Sequence, residues 1–400
     1  MRPVFFYLVF SAIAWCAWVT DATAQNTLKI GVLGAMSGPA KYWGLTNKYC
    51  ALVTAKTYND KGGIKIGNQR YQIDIVSFDT ELNPERAIAG AKSLINQQHI
   101  NYLIGPNIDD TSLAILPVLE AAGAINVSYG FSEKLFQPPR ENTYLGMIHP
   151  SQSAPTIYRY LQENHGIKSI AFLSGRDKNA LNQRNMGFIA AQQLGLKIKE
   201  VNAWDIYDIT YSDSLTGAER LAGEYVKLEP DYIVLSGITP EHSGTMIALL
   251  RQKGYQGLVG TETAQDPTAL ITTMPGLDGF VSLGSALPEA LYSDYMKAFV
   301  TDYLAIAGEW HEEAGVKAYA LEAILRILQH AGPEAINNTE VFKQAAENFE
   351  IQDPFSAQPR PLKLIGTKFL GAKRQLNVPF TIHLVKKGKI HREIHPLDSP

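Results

Sequence analysis

Short apolar runs of strand length alternate with longer amphipathic runs of helical length, and the pattern is laid down twice along the chain. Leu28 to Leu33 reads as a buried strand and Gly44 to Tyr58 as a helix with Leu45, Tyr49, Leu52 and Val53 on one side. Asn59-Asp60-Lys61-Gly62-Gly63 stops that helix, because glycine accepts the left-handed backbone that follows a helix end. Tyr71 to Phe78 is the next strand, and Asn83-Pro84 opens the next helix with a capping residue followed by proline at the first helical position. Ile100 to Ile104, a helix across Ser112 to Ala122, and Ile125 to Ser128 continue the series. Strict β-α-β alternation predicts an α/β fold with a doubly wound, mostly parallel sheet.

The rhythm restarts after Pro150. Ser169 to Leu173, Tyr232 to Leu235 and Leu258 to Val259 read as strands, Ala180 to Leu194 and Glu241 to Gly254 as helices. Residues 289 to 349 read as helices, with Tyr295, Phe299 and Tyr303 at fourfold spacing. Pro354, Pro359 and Pro361 interrupt them, and Phe380 to Val385, a Lys387-Gly388 turn and Ile390 predict a terminal hairpin. The expected architecture is therefore two Rossmann-like lobes.

The first residues bear on the compartment. Arg2 is followed by a mostly apolar run from Val4 to Val19 and then by Ala22-Thr23-Ala24, the small-x-small form of a signal peptidase site. Residues 1 to 24 are thus expected to be a cleaved signal peptide and the protein to be periplasmic. The apolar run falls short of the roughly 20 residues that a membrane span needs, so no membrane insertion is expected. Cys16 follows the bulky Trp15 where a lipoprotein signal has a small residue, which favours a soluble periplasmic form, and a monomer is expected. Beyond the leader Cys50 is the only cysteine, and one thiol closes no internal disulfide. With 46% hydrophobic residues the chain can bury two cores of ordinary size. A formal charge of −3 gives no electrostatic case for nucleic acid or an anionic membrane as partner.

Motifs of catalysis are missing from the text. There is no glycine-rich phosphate loop ending in Gly-Lys-Ser/Thr and no His-Glu-x-x-His, and Gly31-x-x-Gly34 lacks the full dinucleotide fingerprint. Ser174-Gly175 has no Gly-x-Ser-x-Gly elbow around it. His383, His391 and His395 have no metal-ligand spacing and read as part of a solvated basic tail. No enzymatic activity, cofactor or metal is expected.

One ordered set of segments is more specific. Ile30-Gly-Val-Leu-Gly-Ala-Met-Ser-Gly-Pro39, Trp43-Gly44, Asn59 to Ile64, Asp79 with Asn83-Pro84, Tyr102 to Pro106 and Gly260-Thr261-Glu262 together resemble the branched-chain amino-acid type of periplasmic binding proteins. The resemblance covers nearly the whole chain after the leader. It implies the type I periplasmic binding protein fold: two lobes joined by a three-crossover hinge, lobe one from 25–146 plus 283–355 and lobe two from 147–282 plus 356–400. A small-molecule ligand would be held between them and delivered to the permease subunits of an ABC transporter. A ligand-sensing protein acting through a separate receptor partner is the alternative. Open parallel sheets bind ligands beyond the carboxyl ends of their strands, so two facing sheets make one shared pocket.

The same resemblance assigns ligand contacts. In lobe one they are Trp43, Asn107 and Asp109 in the loop after Gly105, and Ser128, Tyr129 and Phe131 in the loop after the next strand. Asp109 and Asp110 stand where a carboxylate ligand would be received, so they are expected either to cap the following helix or to mark a different ligand. In lobe two Glu262 matches the acid that receives an ammonium group, while Asn179 and Ile238 stand where relatives place aromatics. Arg176 or Lys178 could pair with an anionic ligand. The ligand is expected to be amino-acid-like, or to have an aromatic or apolar body with a polar end. If the leader is read correctly, mass spectrometry of the native protein should find Gln25 at its start; a lipidated Cys16 or a retained leader would refute it.

Overall fold

The computed structural model describes residues 26–38, 40–137, 140–175, 178–200, 215–238, 240–264, 267, 271, 276–284 and 287–395. The expected signal peptide, Cys16 and Arg176 lie outside these residues. The first part of the chain forms β1 (Asn26–Gly34), α1 (Lys41–Asn59), β2 (Ile64–Ile66), β3 (Gln69–Asp79), α2 (Pro84–Lys92), β4 (Tyr102–Ile104), α3 (Asp109–Ala122), β5 (Ile125–Ser128) and β6 (Thr143–Leu145). After α4 (Pro150–His165) come β7 (Ser169–Ser174), α5 (Lys178–Gln193), β8 (Lys197–Ile198), α6 (Leu215–Lys227), β9 (Tyr232–Ser236), α7 (Pro240–Gln252), β10 (Leu258–Ala264) and β11 (Phe280–Leu283). A helical stretch follows with α8 (Asp294–Ala307), α9 (Ala314–Ala331) and α10 (Thr339–Glu347). The chain ends in β12 (Glu350–Gln352), β13 (Pro361–Ile365), the short α11 (Thr367–Leu370), β14 (Gln375–Leu376), β15 (Phe380–Lys386) and β16 (Lys389–His395).

These strands form two sheets. The first runs β12-β13-β14-β6-β5-β4-β1-β3-β2, parallel from β14 through β3, with antiparallel strands at both edges. The second runs β16-β15-β11-β10-β9-β7-β8, parallel from β11 to β8 with the β15–β16 hairpin added antiparallel. Parallel strands covered on both faces are apolar throughout, which is why β4 and β5 are buried at every position. In the second sheet the alternation is visible: Ile170, Phe172, Tyr232 and Val234 join one cluster, Ala171, Leu173, Ile233 and Leu235 the other. Among the described residues no helix is long and apolar enough to cross a membrane.

The α2 start forms as the sequence predicts: Asn83 accepts a 2.8 Å hydrogen bond from the Arg86 N–H, and Pro84 opens the helix. Two expectations are corrected. The third crossing does not fall near residue 355, because β13 and β14 stay in the first sheet, β14 pairing with β6 and β13 with β14; the chain passes to the second sheet between Leu376 and Phe380. His383 is not in a solvated tail either. It is fully buried in β15, 3.5 Å from the buried carboxylate of Glu312, which also pairs with Arg392 of β16 at 2.9 Å. Burial pushes the His383 imidazole down to about 4.

Candidate functional site

The two sheets face each other across a cleft with about 440 Å³ of atom-free space, part of it open to solvent. Its first wall follows the carboxyl ends of the parallel strands in turn. Trp43 comes after β1, Asn107 and Ile108 after β4, Tyr129 and Phe131 after β5, and Met147 after β6. The opposite wall repeats the logic, with Asn179 and Gln183 on α5 after β7, Gly237 and Ile238 after β9, and Thr263 near the end of β10. Glu313 and Lys317, at the start of α9, complete the lining.

Two glycines allow this close approach. Gly105, at φ +88°, sits where a Cβ would lie 2.0 Å from the Leu33 carbonyl, and Gly237, at φ +64°, where it would lie 2.3 Å from Ala180. Both adopt the left-handed region that glycine enters without penalty.

Six of the residues assigned from the sequence line the cleft: Trp43, Asn107, Tyr129, Phe131, Asn179 and Ile238. Asn107 is held by the Asn47 amide, which donates to its Oδ1 at 3.1 Å. Among the described residues two polar atoms at the lining are buried with no hydrogen-bond partner, Asn179 Oδ1 and the Tyr129 hydroxyl. Buried polar atoms in native proteins are almost always satisfied, so an orphan at a cleft points to something that binds there.

The other three are not among the lining residues. Asp109 neither caps α3 nor reaches the cleft; the cap position is Ile108, and Asp109 is the first helical residue. Its fully buried carboxylate accepts from the backbone N–H groups of Phe131 at 2.6 Å and Ser132 at 2.9 Å, and from the Asn182 amide of α5 at 2.9 Å. Burial raises its pKa, opposed by those three donors. Asp109 thus positions the loop that carries Phe131 and ties it to the opposite sheet. Asp110 beside it lies 3.7 Å from Lys178, an exposed pair across the same gap. Ser128 is also buried, its hydroxyl accepting from the Gly130 N–H and donating to Ser112.

Glu262 lies behind the wall. Successive residues of a strand point to opposite sides, and on β10 it is Thr263 that meets the cleft. The Glu262 carboxylate accepts from the Tyr158 hydroxyl at 2.5 Å and the Ser236 hydroxyl at 3.4 Å, with no cation paired to it among the described residues. Burial pushes it up to about 7, with the Tyr158 hydrogen bond opposing.

Four residues that the sequence did not single out shape the floor. His149 donates from Nε2 to the Phe131 carbonyl at 2.8 Å, packs edge-on to the Phe131 ring, and accepts the Ser151 N–H at Nδ1; that pattern assigns the tautomer. Burial brings it down to about 4, so it stays neutral. Gln183 accepts from the Gly237 N–H at 3.1 Å. Glu313 and Lys317 form a nearly buried ion pair, and Lys317 also donates to the Trp43 carbonyl at 3.0 Å and lies 5.6 Å from the Tyr129 ring centroid. The available signal was an acid and a base four apart at the start of a helix that is otherwise apolar on nearly every face, from Ala314 to Leu328.

A folded-state pKa above the unfolded value makes the folded state lose stability as pH rises from the unfolded value through the folded one. For Glu262 the window runs from 4.5 to about 7. Glu262→Gln should therefore gain stability relative to the parent between pH 5 and pH 8, by about 3 kcal/mol. Denaturant unfolding at the two pH values checks this; a difference independent of pH would refute it.

The comparisons with known proteins agree with this geometry. The model of the family described as periplasmic binding protein matches residues 27–389. The Leu/Ile/Val-binding protein of Escherichia coli K12 is 25% identical over 341 residues, covering 83% of this chain and 86% of that one. A solved leucine binding protein from Thermotoga maritima superposes with a TM-score of 0.75 at 16% identity, over 93% of this chain and 99% of its own. A solute binding protein from Rhodopseudomonas palustris, solved with 4-hydroxybenzoate, gives 0.74 at 15% identity, over 94% and 98%. A family match across almost the whole described chain, joined to two parallel sheets that face each other over a shared cleft, means that the protein belongs to the periplasmic binding protein family.

Proposed function

We propose that this chain is the periplasmic solute-capturing component of an ABC importer, a monomer without catalytic activity that closes on a small organic molecule between its sheets and presents it to the permease. The observation that carries the reading is the composition of the cleft wall. Trp43, Tyr129, Phe131 and Met147 supply rings and a thioether from the first sheet, facing Ile238 and the amides of Asn179 and Gln183 from the second. Such a wall suits a flat or branched apolar body, with a few polar groups to orient it. The relatives bear names for leucine, isoleucine and valine binding, and one was solved with a hydroxylated aromatic acid. All are binding proteins, which supports a role in capture. The Asp109–Asn182 bond joins the two walls and would form only when the lobes come together.

A thermal-shift screen of amino acids, aromatic acids and amides should find a solute that raises the melting temperature. Trp43→Ala should weaken that solute at least about tenfold, with the unliganded melting temperature nearly unchanged. Binding equal to the parent would sink the assignment of this cleft. Small-angle scattering should show a smaller radius of gyration with the solute bound, and an unchanged radius would count against closure.

A further inference from the structure

Among the described residues the cleft lining contains one acid and one base, and they are paired with each other. Glu313 and Lys317 lie one helical turn apart at the start of α9, with side chains 12% and 4% exposed. An ammonium offers three N–H donors, and two are taken, by Glu313 and by the Trp43 carbonyl. The Glu313 atom paired with Lys317 is Oε2, and Glu313 itself lines the cleft. Across from the pair, Asn179 Oδ1 is a buried acceptor with no donor among the described residues. Helix support accounts for exposed acid–base pairs at this spacing. It does not account for withdrawing both charges from water at the edge of an apolar pocket, where each loses its hydration.

We propose that Glu313 and Lys317 are the head-group subsite of the cleft, selecting solutes whose polar end offers donor and acceptor together with no net charge: a zwitterion or a carboxamide. This deepens the capture reading above and rests on it. The argument is one of charge balance. A lone carboxylate that reaches Lys317 also meets the Glu313 carboxylate in the same enclosed space, and a lone ammonium that reaches Glu313 meets Lys317. A zwitterion places its carboxylate on the remaining Lys317 N–H and its ammonium on the remaining Glu313 oxygen, leaving a further N–H for Asn179. A carboxamide matches the same donor and acceptor through its NH2 and C=O. Polar-end recognition thereby falls to α9, and Glu262 has no part in it.

Four probes with one benzyl body and different heads test this by calorimetric titration at pH 7: phenylalanine, phenylacetamide, phenylacetate and phenethylamine. The parent protein should bind the first two and hold the last two at least about tenfold more weakly. Glu313→Gln should shift preference toward phenylacetate by about tenfold relative to phenylalanine, and Lys317→Met toward phenethylamine by a similar factor. A pair that merely supports the helix would, on substitution, weaken all four alike, and that result overturns the proposal. If either single variant fails to fold around its unpaired charge, the double variant, which leaves none, should bind phenylacetamide and lose discrimination among the charged heads; retained discrimination overturns the proposal. Phenylacetate or phenethylamine binding the parent as tightly as phenylalanine overturns the subsite and leaves capture standing. The same holds if none of the four binds while another solute of the wider screen does. If no solute binds at all, both readings fall.

Discussion

The first wall of the cleft hangs on one carboxylate. Asp109 is buried with no cation paired to it among the described residues, and its carboxylate is met by the backbone N–H groups of Phe131 and Ser132 and by the Asn182 amide. Charge-assisted bonds to backbone are strong enough to hold a loop that has no regular structure of its own. His149 grips the same loop from the other side through the Phe131 carbonyl. Between these two anchors the Phe131 and Tyr129 rings have little freedom, so the wall is shaped before any solute arrives and little ordering entropy is lost on binding. Because the third donor to Asp109 comes from the opposite sheet, the carboxylate that shapes one wall also senses where the other wall stands.

Much of the fold was legible because parallel strands covered on both faces must be short and apolar. The runs Leu28 to Leu33, Ile125 to Ser128 and Tyr232 to Leu235 each fall within β1, β5 or β9. What escaped was the pairing of segments far apart in the chain. β14 is the two residues Gln375–Leu376, and its partner Leu145 lies in another third of the sequence, so no local pattern marks it. For that reason the last crossing was placed too early.

The site divides along the same line. Residues that follow a strand directly were legible, because strand ends aim their loops at the crevice. Asn107, Tyr129, Phe131 and Ile238 belong to that class, while Trp43 and Asn179 lie on the helices that come next, and the family resemblance marked all six. Glu262 was off by one residue, and on a strand one residue reverses the side a chain faces. Asp109 has the right loop but spends its carboxylate on backbone beyond the reach of local spacing. Glu313 and Lys317 enter from a helix that follows no strand of the sheet it covers, so only the three-dimensional arrangement brings them in.

The β14–β6 pairing has a consequence for how this molecule comes into being. The first sheet joins residues near the amino end to β12, β13 and β14, with β7 to β11 of the second sheet synthesised in between. Such topology has high contact order, and the entropy of closing that long loop must be met before the pairing rewards it. Residues 26–145 therefore leave the ribosome as half a lobe, without α9 across the strands or β14 at the edge. Until β14 is made, the β6 edge of the first sheet has no partner strand, so that sheet cannot be completed before residue 376 is available.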